Sequence, residues 1–276
     1  MSSMFGTAPA HRSRPRGKYL IAIGIALISL FSYLGTSSTN PLTGENQRVA
    51  ISVDEEIALG LQSAPELTAQ FGGVTTDTEA QARVTRLGAE LVKAIGKDAP
   101  YRFEFTLLND QKTVNAFALP GGKLFITEAL YRLLPSDAEV AGVMAHEIGH
   151  VIERHAAEQM AKAQLSQGLT GAAVIATSDP YDPRSRNTSA IAALVGQFII
   201  MSYGRKDELE SDRWGVKLLH QAGYDPLALI QVMKVLRDAS GGSEMPQFFS
   251  THPSPEDRIQ KIEQAIKEVQ QDSARG

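Results

Sequence analysis

The chain has 276 residues, of which 43% are hydrophobic and 21% charged, a formal net charge of −4 and no cysteine. That composition excludes disordered, collagen-like and coiled-coil classes and leaves room for one large globular domain or two small ones. The weak acidity argues against a nucleic-acid partner. Without cysteine there is no disulfide, iron–sulfur cluster, thiolate zinc site or thiol nucleophile, so any metal must be held by nitrogen and oxygen.

Near the N-terminus stand Arg12, Arg14, Arg16 and Lys18, with no acidic residue before Glu45. The apolar run Tyr19–Leu34 follows, then Gly35, Thr36, Ser37 and Ser38, which is the layout of an export signal. The run is at the short edge for a membrane-spanning helix, which needs about 17–25 residues. No A-x-A cleavage site follows it, so residues 1–35 read as either a cleaved signal peptide or a retained anchor. In both cases the basic flank stays in the cytoplasm and the remainder is exported, periplasmic or membrane-anchored. Losing the four basic residues takes 27 down to 23 against 31 acidic ones, a net −8 for the exported part. Residues 36–50 are rich in turn formers and predict a linker, leaving 51–272 as one domain.

Ser52 and Glu55 form a capping box that predicts a first helix. A second, amphipathic helix is predicted from about Asp77 to Lys97, with Val84, Leu87, Leu91 and Ile95 on one face. The period then changes to two, Phe103, Phe105 and Leu107 alternating with polar residues, which marks a half-buried strand. Further strands are predicted at Val114–Leu119 and Lys123–Thr127, joined by a Pro120-Gly121-Gly122 turn. From Ser136 onward the pattern is helical, to a last helix at 255–271. The apolar stretches 168–177 and 189–201 are too short to span a bilayer and read as core helices around a 178–187 loop, with a mobile flap or a membrane-dipping surface as alternatives. The fold class is therefore α+β, mostly helical, with a small three-stranded sheet.

Chemistry concentrates in 136–155, SDAEVAGVMAHEIGHVIERH. Ser136 and Glu139 make another capping box, so His146-Glu147-Ile148-Gly149-His150 lies inside a helix. There the two histidines are only about 40° apart and can point at one metal ion, while Glu147, about 100° round, reaches a water at the metal without being a ligand. A pair of solvent-facing histidines is the bland alternative. His155, about 140° round from His150 on a continuous helix, faces away and reads as a surface or packing residue. The metzincin pattern fails too, since it needs glycine where Glu153 stands and histidine one residue later. A catalytic zinc takes three protein ligands. In YGRKDELESDRWGVKLL, Glu208 and Asp212 are four apart and share one helix face. Glu208 is the candidate third ligand, and Asp212 the candidate acceptor for the free imidazole N–H of His146. Glu210 reads as solvated. Taken alone, DELESD is an ordinary charged helix face.

HEIGH followed by ELESD, with NAFALPGG before and THPSPEDR after, resembles the HtpX-like and BepA-like zinc endopeptidases, the gluzincin group that also contains the CAAX prenyl protease. The resemblance covers about residues 45–265 and implies a gluzincin-type metallopeptidase domain. It implies one Zn2+ per chain on His146, His150 and Glu208, with Glu147 as general base and Asp212 behind the ligands. It departs from the family in having neither multiple membrane spans nor tetratricopeptide repeats, which points to a small exported branch. By the same resemblance His252 and Arg258 lie near the developing oxyanion, Arg258 gripping a substrate carbonyl and His252 able to occupy the open metal position and keep the enzyme latent. The alternative is structural: His252 as a helix cap and Arg258 paired with Glu256 or Asp257 on the surface. The strand bearing Asn115 and Ala116 offers an edge to which a substrate chain can add, although an asparagine ending a strand at a turn is equally open. Together these readings give a zinc metalloendopeptidase acting on protein or peptide substrates, misfolded or envelope proteins among them, with membrane contact through the N-terminal segment if it is not cleaved. A chaperone-like module for unfolded envelope proteins and a zinc aminopeptidase remain as alternatives.

Overall fold

The structure is a computed structural model that describes residues 16–96, 99–177, 202–239, 246–253 and 257–275. The 178–187 loop and the apolar stretch 189–201 lie outside the described residues. In chain order the elements are α1 (Arg16–Gly35), β1 (Ser37–Thr39), β2 (Asn46–Arg48), α2 (Val53–Gln70), α3 (Thr78–Ile95) and β3 (Glu104–Leu108). They continue with β4 (Ala116–Leu119), β5 (Lys123–Thr127), α4 (Glu128–Tyr131), α5 (Asp137–Ile152) and α6 (His155–Thr177). The remainder are α7 (Arg205–Ala222), α8 (Leu227–Ala239), α9 (Gln247–Thr251) and α10 (Arg258–Arg275). Helices around a small sheet match the α+β class expected.

The chain divides into two compact units, one holding Met1–Gly35 with Lys162–Arg186, the other Thr36–Ala161 with Asn187–Gly276. In the first, α1 exposes Leu20, Ile21, Ile23, Ile28 and Phe31. Its 20 residues span about 30 Å at 1.5 Å per residue, and Gly17–Gly35 is long and apolar enough to cross a membrane. Gly168 of α6 has no room for a side chain, because Ser29 of α1 fills that place.

In the second unit the predicted capping boxes and strands form. Ser52 caps α2 with Glu55, and Asp77 caps α3 through the N–H of Ala80. The sheet order is β3-β5-β4, β3 running parallel to β5 and β4 antiparallel to it. Gly121 and Gly122 turn β4 into β5 with φ of 80° and 99°, values that β-carbon-bearing residues avoid. Buried Val84, Leu87 and Leu91 of α3, Leu124 and Ile126 of β5, and Val140, Val143 and Ile148 of α5 belong to one core cluster. Every residue of α5 from Val140 to Ile152 is buried, so this helix lies at the centre of the unit, against α3, β4, β5, α7 and α8.

The segment 36–50 is not the free linker its composition suggests. β1 and β2 pair antiparallel, and Asn40 and Gln47 are buried. Asn40 Nδ2 donates to the carbonyl of Ile152 (2.8 Å) and Gln47 Nε2 to that of Glu153 (2.5 Å). Those are two of the carbonyls a helix leaves unpaired at its C-terminus. The amides therefore close the end of α5, a partnership across more than 100 residues that composition cannot reveal.

Candidate metal centre

The start of α5 is fixed twice, by the Ser136–Glu139 capping box and by Arg83 Nε and Arg86 Nη2 of α3, which hold Asp137 at 2.6 and 2.7 Å. Its approach to α7 depends on small residues. A β-carbon at Gly149 would lie 2.8 Å from both Ser211 oxygens, and one at Gly215 3.5 Å from the backbone of His146. Ser211 Oγ donates to the His146 carbonyl. At that close range, one face of α5 meets one face of α7.

The contact brings together His146, His150 and Glu208, and His252 joins them, all four buried and with potential donor atoms within 4.8 Å of one another. His146 Nε2 is 3.1 Å from His150 Nε2. The Glu208 carboxylate lies 3.5 Å from each of these nitrogens. On the far side of its ring, His146 Nδ1 is 2.9 Å from Asp212 Oδ1. His252 enters from the end of α9, its ring stacked on Phe248 with centroids 4.5 Å apart. Its Nδ1 is 3.1 Å from Glu208 Oε1 and 3.4 Å from His146 Nε2, and its Nε2 is 3.5 Å from Glu147 Oε1. Tyr203, which no sequence pattern singled out, stacks on His150 with centroids 4.0 Å apart.

Arg258 differs from the surface alternative for it. It is 0% exposed, so it is not on the surface. Its Nε and Nη2 bond the two Asp212 oxygens at 2.6 and 2.9 Å. Nη1 comes within 2.8 Å of Glu208 Oε2 without aligning an N–H to it. Asp257, offered as a surface partner, instead pairs with Arg205, and Glu256 lies outside the described residues. Burial would push the Asp212 carboxyl up; the Arg258 charge overrides this and holds it below the ordinary value. Glu208 is held well below its ordinary value because His252 and Arg258 together outweigh burial. Burial and the neighbouring His146 hold His150 neutral, well below the usual imidazole range.

The donor set suits a divalent cation. Both Glu147 oxygens and His252 Nε2 are buried without a hydrogen-bond partner, and leaving such groups without one costs several kcal/mol unless something compensates. Two imidazole nitrogens facing each other beside a carboxylate are the ligand types zinc takes.

His155 corrects the sequence reading. It is buried, with Nδ1 2.9 Å from His150 Nδ1. The 140° argument assumed a continuous helix, but α5 ends at Ile152 and Arg154 adopts φ 56°, turning the chain back. Arg154 is held in that conformation by Glu56 and the carbonyl of Ile51. Glu210 is not fully solvated either, since it meets His155 Nε2 at 3.4 Å and Lys206 at 3.0 Å.

Asn115 and Ala116 are buried where β4, one of the two edge strands of the sheet, begins. The Asn115 N–H donates to Thr127 Oγ1 and its carbonyl accepts the Thr127 N–H, while its Oδ1 has no partner. The Val114 carbonyl accepts the N–H of Phe248, which joins this strand to the segment carrying His252. Ala116 and Glu147 line one small pocket.

Helices packed around a three-stranded sheet, with an imidazole and carboxylate cluster between two of them, define a metallopeptidase-type architecture. Residues 78–266 match peptidase family M48. The chain is 30% identical over 253 residues to the beta-barrel assembly-enhancing protease of Escherichia coli strain K12, covering 88% of this chain and 51% of that one. The Yersinia pestis protein of the same name is 31% identical over 223 residues, 79% of this chain and 45% of the relative. The mitochondrial metalloendopeptidase OMA1 of Schizosaccharomyces pombe is 28% identical over 233 residues, 83% of this chain and 66% of the relative. The chain belongs to peptidase family M48. It spans about half the length of the bacterial relatives it matches.

Proposed function

We propose that the protein is a zinc-dependent metalloendopeptidase whose ion is held by His146, His150 and Glu208. The observation that carries this is the convergence of those three side chains beside Glu147, whose buried carboxylate makes no hydrogen bond. When bound, zinc would polarise the scissile carbonyl and acidify the attacking water. Glu147 takes the water's proton and passes it to the leaving nitrogen. Asp212 accepts Nδ1–H of His146 and so keeps that ring's Nε2 lone pair towards the donor set. Arg258 fixes Asp212 and lends positive charge to Glu208, a positioning role. The outer edge of β4 at Ala116 receives the substrate chain by backbone pairing, and the unpartnered Asn115 Oδ1 adds a side-chain contact to the peptide backbone.

His252 fills a fourth donor position here, an arrangement that fits a latent state, and in an open state it would donate to the oxygen that becomes negative on the scissile carbonyl. The two roles separate in His252→Ala. Faster casein cleavage supports latency, slower cleavage supports the donor role, and an unchanged rate removes both.

The domain is read as exported, with residues 1–35 a signal or anchor and the catalytic unit extending to about 272. Its substrates are proteins of the cell envelope, in keeping with the name of the bacterial relatives. A purely holding, chaperone-like role would leave the buried Glu147 carboxylate without a task. An aminopeptidase would need an acidic group to grip the substrate amine, and Glu147 and Glu208 already have roles. The test is metal analysis with casein digestion: about one zinc per chain, activity abolished by chelator and restored by zinc. Glu147→Gln is expected to keep the metal and lose at least about 100-fold in rate.

A further inference from the structure

The two metal-facing histidines of α5 are supported differently. His146 has a carboxylate, Asp212, at its Nδ1. His150 has no carboxylate there; its Nδ1 faces the Nδ1 of another imidazole, His155, at 2.9 Å. We propose that His155 and Glu210 form an accepting relay that fixes the tautomer and orientation of His150, as Asp212 and Arg258 do for His146. The proposal rests on the reading of His146, His150 and Glu208 as metal ligands.

The proton placement follows from the geometry. His150 Nε2 points into the donor set, 3.1 Å from His146 Nε2 and 3.5 Å from Glu208 Oε1. A lone pair is needed there, so the ring's proton sits on Nδ1. His155 Nδ1 must then accept, which leaves the proton of His155 on Nε2, 3.4 Å from Glu210 Oε2. The other Glu210 oxygen is paired with Lys206, which keeps the carboxylate in place and ionised. Asp207 lies nearby but is already engaged, since its Oδ2 accepts the N–H of Gly204 at 3.0 Å and Gln159 Nε2 at 2.8 Å. Glu210, the carboxylate in hydrogen-bond contact with His155 Nε2, is the terminal acceptor. His155 is 1% exposed, too enclosed for bulk water to replace it.

The backbone gives an independent reason. Arg154 is, among the described residues, the one non-glycine with positive φ, a conformation costing about 1 kcal/mol or more for a residue with a β-carbon. A buried ion pair with Glu56 maintains it. The consequence of that turn is to bring His155 back beside His150.

The test uses the full chain with zinc alone as the probe. Zinc affinity is measured by competition with a chromophoric chelator, and the ring tautomer of His150 by 15N shifts of the metal-free protein. His155→Ala is expected to raise the zinc Kd about 10–100-fold and to mix the His150 tautomers. His155→Asn, whose Oδ1 can accept, should restore most of the loss, and Glu210→Ala should weaken binding several-fold. Wild-type zinc affinity in His155→Ala overturns the proposal, as does an Asn variant as weak as Ala, which would make the effect one of packing. An unchanged Kd in Glu210→Ala removes Glu210 from the relay. If the wild type binds no stoichiometric zinc, the ligand reading itself fails and the relay with it.

Discussion

At the residue scale, the HEIGH spacing was enough to place His146, Glu147 and His150, because a helix has one phase and four residues nearly complete a turn. Glu208 and Asp212 were legible for the same reason. Arg258 was legible as important but not in its role, because burial and partner come from α7, 46 residues away from it in the case of Asp212. Its burial gives a sharp prediction. Arg258→Met leaves two buried carboxylates without their cation, a change expected to cost about 3–5 kcal/mol, seen as a lower urea midpoint. Excess zinc should recover part of the loss by supplying charge to Glu208; a variant as stable as wild type in the absence of metal would contradict the pairing.

The element scale is governed by how closely α5 and α7 pack. Gly149→Ala forces a methyl against Ser211 and is expected to destabilise by about 1–3 kcal/mol. It should also loosen the donor set, so zinc affinity and thermal midpoint fall together. A second test concerns Asp137 at the first turn of α5. Hydrogen bonds from Arg86 and then Arg83 hold its carboxyl below the ordinary value. A depressed acid contributes stability that is complete above its unfolded value of about 3.9 and is lost as pH falls through the folded one. Asp137 is 42% exposed, so solvent limits the contribution to about 0.5 kcal/mol. Wild type should exceed Asp137→Asn in urea resistance at pH 6, and the gap should narrow as pH falls below the ordinary carboxylate range. The end of α5 was not legible, because neither Arg154 nor the residues around it are helix breakers by type. The positive φ there depends on Glu56 and Ile51, about 100 residues earlier.

On the scale of the whole molecule, a ligand that binds only the folded state stabilises it by mass action. At 100 times its Kd, zinc should contribute about 2.7 kcal/mol. For a chain of this size that raises the melting temperature by about 5–10 °C. Calorimetry with zinc and with a chelator measures this, and coincident melting curves would mean that the cluster holds no ion. Retention of α1 as an anchor predicts that the full chain stays with membranes through an alkaline carbonate wash, while a soluble product lacking the α1 segment would identify a cleaved signal.

By itself the sequence determined the class of chemistry, the helical phase of both donor pairs, the three strands and the apolar N-terminal segment. Each of these depends on local spacing, and the period of a helix or strand is the same in any surroundings. Tertiary structure decided what buries Arg258, how the hairpin of residues 37–48 closes α5, and why His155 returns to His150. Those outcomes depend on contacts between residues 46 to 112 positions apart and on one unfavourable backbone conformation held in place by them, and no short window along the chain contains both partners.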